Sequence, residues 1–165
     1  SSWYLDLTLL EKYWGSERVY HHTSSSTLNY ALLEALRLID DEGLQNRFNR
    51  HLENHRALVA GVEALGLEML VSPEYRLPTL NTIKIPEGID DMKLRSYLLE
   101  TFNLEIGGGL GALKGKVWRV GLMGHSSSAE NVLFFLSAIN RALAIQGHKT
   151  DLASGTDAAM TALNA

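Results

Sequence analysis

The segment Lys116-Val117-Trp118-Arg119-Val120-Gly121-Leu122-Met123-Gly124 places one arginine in the middle of an apolar strand pattern. Arginine is rarely buried without a partner, so Arg119 either faces solvent or belongs to an anion-binding site. The planar guanidinium group can hold a carboxylate through two parallel hydrogen bonds, which lysine cannot reproduce. The pattern by itself leaves both interpretations open.

The chain on either side of this strand alternates between helical and extended patterns. Apolar residues recur at three- and four-residue steps in four segments, with capping residues or glycines at their ends. The predicted helices begin at Ser26 or Thr27, at Leu44, at Asp90 or Asp91, and at the capping box Ser127-Ser128-Ala129-Glu130, and the first two end at Gly43 and Gly66. The predicted strands lie at residues 67–71, 80–85, 104–106 and 116–124.

This order of elements predicts an α+β fold with a small, mostly antiparallel sheet and helices packed on one face. An aromatic arm and a long helix pair precede the sheet. The predicted apolar stripes of that pair are Leu28, Leu32, Leu36 and Ile39, then Leu44, Phe48, Leu52, His55, Val59 and Val62. We interpret His55 as a buried histidine with a hydrogen-bond partner, because it falls on the second stripe. Residues 147–165 are small and polar, and we expect them to be mobile or at most a short helix.

The composition limits the class of protein and its partners. With 165 residues, 45% hydrophobic residues and a net charge of −4, the chain is long enough for a buried core. It offers no electrostatic reason to bind nucleic acid or an anionic membrane. The chain has no cysteine, which excludes thiolate chemistry. We see no membrane-spanning apolar run and no signal peptide, and we expect a cytoplasmic protein.

The N-terminal residues combine an apolar arm with a polar loop. Residues 3–14 are too apolar for a free tail, and we expect them to pack on a neighbouring surface. The loop that follows reads Tyr20-His21-His22-Thr23-Ser24-Ser25-Ser26. Its adjacent histidines could suggest a metal, but no cysteine or carboxylate stands at ligand spacing. We therefore favour a loop whose hydroxyl groups contact an anion or cap a helix.

The sequence contains no self-contained catalytic motif of the nucleophile-elbow, zinc or phosphate-loop type. The glycine run Gly107-Gly108-Gly109-Leu110-Gly111 precedes a strand and not a helix, so the dinucleotide fingerprint does not apply. Lys114 and Lys116 flank this run, and we expect both to be exposed. These features predict an accessory domain that contributes residues to a site completed elsewhere.

Several segments together resemble the class V, fold-type I pyridoxal-phosphate aminotransferases, specifically the alanine–glyoxylate (serine–pyruvate) aminotransferases. The matching segments are Trp3-Tyr4-Leu5-Asp6, Tyr13-Trp14-Gly15, Tyr20-His21-His22-Thr23, Arg76-Leu77-Pro78-Thr79, residues 105–111 and residues 115–124. They occur in the family order across residues 3–146. The resemblance implies that residues 1–26 end the large domain, residues 27–146 form the small C-terminal domain, and residues 147–165 follow as a tail.

The resemblance also implies roles for particular residues. Arg119 matches the arginine that holds the α-carboxylate of the substrate, and Gly109 belongs to the wall of the substrate site. Tyr20 and Thr23 match residues that contact the phosphate of pyridoxal 5'-phosphate bound to the other subunit, which implies a homodimer. The implied substrates are small amino acids and keto acids.

The family's Schiff-base lysine matches no lysine of this chain, and we expect the chain alone not to transaminate and not to retain the cofactor. Three interpretations remain open. The chain is a C-terminal portion of an enzyme that transfers an amino group from alanine or serine to glyoxylate or pyruvate; or one chain of a split aminotransferase, with the large-domain part supplied separately; or a non-catalytic binding or regulatory module.

Overall fold

The structure is a computed structural model that describes residues 2–151 and 153–165. Ser1 and Leu152, which belong to the predicted first segment and tail, lie outside the described residues. The helices are α1 (Leu7–Trp14), α2 (Ser26–Glu42), α3 (Leu44–Ala64), α4 (Asp91–Phe102), α5 (Ala129–Ile145) and α6 (Ser154–Leu163), and the strands are β1 (Leu80–Lys84), β2 (Gly107–Gly108) and β3 (Val117–Gly121). The chain divides into two compact units, Ser1–Leu44 and Gln45–Ala165.

The first unit contains α1 and α2, and local capping sets the bounds of both helices. The Asp6 carboxylate accepts hydrogen bonds from the backbone at the start of α1. Ser25 caps α2, and Gly43 ends it with a φ of 81°, a conformation that glycine adopts without steric cost. None of the described residues of either helix is buried. The predicted stripe of α2 is therefore present but largely uncovered, with Leu28 70% exposed.

The second unit is built around an antiparallel sheet in the strand order β1-β3-β2. The central strand β3 pairs Ile83 of β1 with Trp118, and Thr82 with Arg119. On the other side, β2 pairs Gly107 with Arg119. Because successive side chains of a strand point to opposite faces, Trp118 and Arg119 lie on opposite faces of the sheet.

Helices cover the face of the sheet that carries Trp118. The fully buried residues there include Ile83 of β1, Leu94 of α4 and Ile139 of α5. They belong to one apolar core with the C-terminal half of α3. This arrangement confirms the predicted α+β class with a small antiparallel sheet and helices on one face. The predicted helices around Asp90 and Ser128 are also confirmed, since both residues are N-caps.

The strands differ from the prediction at two places. The predicted strand at residues 67–71 is wrong as a strand, because only the isolated antiparallel bridge between Met69 and Ile83 forms there. The predicted strand at 104–106 is displaced, since β2 occupies Gly107 and Gly108. Glycines have low strand propensity, so only pairing with β3 could reveal this strand. Within the described residues the sheet thus has three strands and not four.

The buried side of α3 is rotated from the predicted stripe. Phe48 and Leu52 are 58% and 37% exposed, while His51, Asn54 and Leu58 are buried. The apolar spacing indicates a helix, but it cannot say which face meets the core when both faces carry apolar or amphipathic residues. The N-terminal turns of α3 therefore carry uncovered apolar side chains.

The C-terminal tail is ordered as a helix in this structure. Helix α6 packs against α5, and its Ala159 is fully buried. Gly155 of α6 lies against Gly61 of α3, where an added methyl group on Gly61 would fall 2.8 Å from the backbone oxygen of Gly155. Of the two expectations for residues 147–165, the structure shows the short helix, with a packed face. The mobility of this segment stays a prediction.

The domain boundaries predicted at residues 26 and 146 concern the complete protein, and they stay predictions. Among the described residues, no helix has the length and apolar character needed to cross a membrane.

Candidate functional site

Arg119 is partly buried on the face of the sheet opposite the helices. Its Nε–H donates a hydrogen bond of 2.8 Å to the backbone oxygen of Gly108. Within residues 2–151 and 153–165, no carboxylate forms an ion pair with Arg119. A partly buried guanidinium group without a carboxylate partner is the arrangement expected of an anion-binding residue.

The glycine run borders this arginine, and at two of its positions the structure shows what an added side chain would meet. A Cβ atom on Gly109 would lie 2.0 Å from the backbone oxygen of Leu113, so any side chain would force the loop to move. A Cβ atom on Gly107 would lie 3.3 Å from Nη2 of Arg119. The structure therefore brings Gly109 and Arg119 into one region of the second unit. The contribution of Gly109 to a substrate-site wall stays a prediction.

The turn that follows β3 is held by polar residues of α3 that the sequence patterns did not single out. Nη1 of Arg50 donates to the backbone oxygen of Gly124 at 3.1 Å and also to that of Ser127. His51 accepts a hydrogen bond of 3.1 Å from the Gly124 backbone N–H at Nε2, and its Nδ1 donates to Arg47 at 2.7 Å. The sequence did contain one signal for His51. This residue lies three positions after Phe48, which places it next to the predicted apolar stripe of α3.

Behind the sheet, a carboxylate fixes β3 to α4. Trp118 Nε1–H donates to Asp91 Oδ1 at 3.0 Å, and Arg95 Nε–H donates to the same oxygen at 2.8 Å. This hydrogen bond to Asp91 raises the pKa of Arg95 above its ordinary value. The buried indole group is thus fully paired, which holds the strand that carries Arg119 in place.

His55 is a buried core histidine, as the sequence predicted. Its Nδ1 donates a hydrogen bond of 2.7 Å to Oδ1 of Asn81, and Asn81 is itself buried on β1. Burial lowers the pKa of His55 below its ordinary value of 6.5, because it disfavours the charged imidazolium form. This pair connects α3 to the sheet and takes no part in the candidate site.

Tyr20 and Thr23 lie in the first unit and are in contact with each other. Their hydroxyl oxygens are 2.7 Å apart, and Tyr20 is 70% exposed. Two adjacent hydroxyl groups that remain open to solvent can donate to the oxygens of one phosphate group. The structure thus places these two predicted residues together and leaves their hydroxyl groups accessible.

The aromatic arm braces the loop between Tyr20 and Thr23. The rings of Trp3 and His21 stack at 4.2 Å with an interplanar angle of 5°. His21 Nε2–H donates to the backbone oxygen of Trp3 at 3.0 Å, so its Nδ1 accepts from His22 Nδ1–H at 2.9 Å. Both nitrogens of His21 are thus engaged. Among the described residues, no group of three or more potential metal-ligating side chains occurs.

Comparison with known proteins places these features in a class. No family model matches the chain. It is 44% identical over 140 residues to the (S)-ureidoglycine–glyoxylate transaminase of Bacillus subtilis, and 46% identical over 156 residues to the alanine–glyoxylate aminotransferase of Drosophila melanogaster. These matches cover 85% and 91% of this chain but 34% and 40% of the relatives, so the chain spans little more than a third of their length.

Solved structures agree with these matches. The ureidoglycine–glyoxylate aminotransferase of Bacillus subtilis superposes with a TM-score of 0.90 at 39% identity, over 100% of this chain and 43% of its own. The alanine–glyoxylate aminotransferase of a Nostoc species superposes with a TM-score of 0.78 at 54% identity, over 87% of this chain and 38% of its own.

The sheet, its arginine and these similarities define part of a class V aminotransferase. Within that class the chain belongs to the alanine–glyoxylate aminotransferase family and corresponds to the C-terminal part of its members. The resemblance inferred from the sequence is confirmed at this level.

Proposed function

We propose that this chain is the C-terminal portion of a pyridoxal-phosphate-dependent aminotransferase that transfers an amino group from alanine or serine to glyoxylate or pyruvate. The chain contributes Arg119, which binds the α-carboxylate of the substrate, and Gly109, which lies in the wall of the substrate site. Tyr20 and Thr23 contribute hydroxyl groups to the cofactor phosphate of the second subunit in a homodimer.

The observation that carries this proposal is the environment of Arg119. The guanidinium group is held at the sheet surface by one hydrogen bond to Gly108, and no carboxylate of the described chain neutralises it. A substrate carboxylate supplies the missing partner. Because a charge-assisted bidentate pair has a strict geometry, it also orients the substrate relative to the cofactor.

The hydroxyl pair of Tyr20 and Thr23 fits the phosphate of pyridoxal 5'-phosphate. The two exposed hydroxyl groups share one hydrogen bond of 2.7 Å, so one O–H is free to donate to a phosphate oxygen, and the second can do so when their mutual bond opens. The cofactor, when bound, supplies an electron sink that a protein side chain cannot provide. The role of these residues is to hold its phosphate group in place.

The names of the relatives support glyoxylate as the amino acceptor more strongly than they support one donor. Alanine–glyoxylate and ureidoglycine–glyoxylate enzymes share the acceptor and differ in the donor. Alanine and serine share the α-carboxylate group that Arg119 binds in this proposal, so Arg119 does not distinguish between these two donors. A donor panel of alanine, serine and ureidoglycine with glyoxylate or pyruvate as acceptor distinguishes the possibilities.

The test is a chimaera in which this chain replaces the matching 43% of the Bacillus subtilis enzyme, whose fold it shares. We expect the chimaera to bind pyridoxal 5'-phosphate and to transaminate, whereas the 165-residue chain alone does neither. A folded chimaera that retains the cofactor but transfers no amino group would favour a binding or regulatory module. Activity that appears only when the remaining part is supplied as a separate chain would favour a split enzyme.

In this chimaera, Arg119→Lys should weaken substrate binding while cofactor affinity is unchanged. Lysine keeps the charge but loses the bidentate geometry. The value of kcat/KM for the amino donor should therefore fall by a factor that corresponds to a loss of about 2–3 kcal/mol of transition-state stabilisation. The matched control is Arg141→Lys at an exposed position of α5. An unchanged KM for the donor in Arg119→Lys would contradict the carboxylate role.

A further inference from the structure

The position of Arg119 in the sheet gives it one neighbour without a side chain. Arg119 lies directly between Thr82 of β1 and Gly107 of β2. Directly opposed residues of antiparallel strands project to the same face, so a side chain on Gly107 would share the space of Arg119. A Cβ atom there would lie 3.3 Å from Nη2 and 3.5 Å from Nε of Arg119. A methyl group on Gly107 would therefore crowd the guanidinium group, which would have to move by a few tenths of an ångström.

The neighbouring glycine anchors the same group. The backbone oxygen of Gly108 accepts the Nε–H of Arg119 at 2.8 Å. This carbonyl belongs to a strand that is itself paired with β3, so its position is set by the ladder. Within the described residues, Nη1 and Nη2 of Arg119 have no hydrogen-bond or ion-pair partner.

A guanidinium group can hold a carboxylate along either of two edges. One edge combines Nε with a terminal nitrogen, and the other combines both terminal nitrogens. Because Gly108 already occupies Nε, the edge formed by Nη1 and Nη2 is the one with two free parallel N–H groups.

We propose that Gly107 and Gly108 are positioning residues for Arg119, and that they restrict it to end-on binding of a carboxylate through Nη1 and Nη2. This inference rests on the proposed function, because it specifies how the same arginine meets the substrate. Gly108 acts through its carbonyl oxygen, and Gly107 acts through its lack of a side chain. The bound anion must present two oxygens in the plane of the guanidinium group at the sheet surface.

The test is arginine-detected NMR of the 165-residue chain labelled with ¹⁵N and ¹³C. The Nε–H signal of Arg119 is assigned by its loss in Arg119→Lys. We expect a through-hydrogen-bond coupling between this N–H and the Gly108 carbonyl. We also expect the N–H to exchange with solvent roughly tenfold more slowly than that of the exposed Arg141, because one hydrogen bond protects it. Exchange as fast as that of Arg141, with no coupling, would overturn the inference whatever the function.

Pyruvate is then the probe for the carboxylate, added up to about 100 mM because a single charge-assisted pair binds weakly. Shifts of the Nη signals with the Nε–H coupling retained support end-on binding. Loss of the Nε–H coupling on addition would show side-on binding, which overturns this inference and leaves the proposed function standing. No shift of any Arg119 signal, either in this chain or in the chimaera that completes the proposed site, would overturn the carboxylate role itself.

Gly107→Ala provides the matching variant. We expect its Cβ atom to push the guanidinium group aside by a few tenths of an ångström, so that the coupling weakens and exchange of the Nε–H becomes faster than in the unsubstituted chain. The control is Gly121→Ala on the same sheet, where the nearest atom to a new Cβ is the flexible Met123 Cε at 3.8 Å. Equal couplings in both variants would overturn the role of Gly107. The measurements on the unsubstituted chain decide the role of Gly108 independently of either variant.

Discussion

At the scale of single residues, the candidate site depends on backbone groups as much as on side chains. Arg119 is a side chain that the sequence singles out, but its orientation is set by the carbonyl of Gly108 and by the bare surface of Gly107. Tyr20 and Thr23 similarly rely on the stacked rings of Trp3 and His21, which brace the loop from the N-terminal side. The residues that we propose contact a ligand are therefore few, and their neighbours act by holding them in position.

The first prediction at this scale concerns the phosphate. In the chimaera, Tyr20→Phe should raise the dissociation constant for pyridoxal 5'-phosphate roughly tenfold or more, because it removes one O–H donor to a charged group. Titration of the apoenzyme with cofactor measures this constant. Tyr30→Phe, at an exposed position of α2, is the control. Equal affinities in the two variants would contradict the phosphate role of Tyr20.

The second prediction concerns the pH dependence of stability. Burial lowers the pKa of His55 in the folded state, so on acidification the unfolded state takes up the proton first. The stability of the second unit should therefore fall as the pH drops below about 6.5 and continue to fall until the pH reaches the folded-state pKa. Above that range His55 is neutral in both the folded and the unfolded state, so it no longer makes stability depend on pH.

Urea unfolding at several pH values, followed by Trp118 fluorescence in a Trp3→Phe, Trp14→Phe background, measures this effect. His55→Gln should flatten the slope of stability against pH between 6.5 and lower values. His125→Gln, on an exposed turn, serves as the control for the substitution itself. A slope that is identical in all three proteins would argue against His55 as its source.

At the scale of elements, the contact between α3 and α6 depends on close packing at two glycines. A Cβ atom on Gly155 would lie 2.8 Å from Cγ of Leu65 and 3.2 Å from the backbone oxygen of Gly61. Ser154 adds a hydrogen bond of 3.2 Å to the backbone oxygen of Ala64. Two helices can approach this closely because small residues face each other along the contact.

We accordingly expect Gly155→Ala to destabilise the chain by about 1–3 kcal/mol, the usual cost of overpacking a close contact. Hydrogen exchange should show the loss first in the amides of α6. Thr161→Ala, at an exposed position of the same helix, provides the control because it changes propensity without changing the contact. Exchange in α6 that is equally slow in both variants would show that the helix tolerates the methyl group.

At the scale of the whole molecule, the uncovered apolar surface indicates that other protein normally covers part of this chain. Leu28, Leu32 and Leu36 of α2 are 70%, 59% and 54% exposed, although they form one stripe. Contiguous exposed apolar surface of this kind marks an interaction site. The relatives are more than twice as long as the chain. In the enzyme that we propose, the large-domain part and the second subunit would supply the surface that covers this stripe.

Leu32→Asp tests this interpretation by its different effect in two settings. In the 165-residue chain the variant should change stability by no more than about 0.5 kcal/mol, since the leucine is already exposed. In the chimaera it should destabilise by about 2–3 kcal/mol, because a buried leucine is replaced by a charge. Urea midpoints of both proteins provide the comparison, with Arg37→Gln on the same helix as the control. The same small change in both settings would mean that α2 stays exposed in the enzyme.

Much of the secondary structure is readable from short-range signals in the sequence. Gly43 ends α2 and Asp90 starts α4, as predicted, because side-chain caps and left-handed glycines act within a few residues. The cap of α2 is Ser25 and not the predicted Ser26 or Thr27, because three serines in succession offer the same cap chemistry. The strand with Arg119 is also readable, from its alternation and β-branched residues. These signals cannot locate β2, because Gly107 and Gly108 form a strand only through their pairing with β3.

The sequence by itself determined the four longest helices, the central strand and the family, and it singled out the residues that we propose carry the chemistry. These properties follow from local propensities and from the order of short motifs along the chain. Only the tertiary structure decided which face of α3 is buried, where α6 packs, and that Gly108 occupies Nε of Arg119. Each of these depends on contacts between residues far apart in sequence, whose register is set when the core packs and not by the residues of one segment.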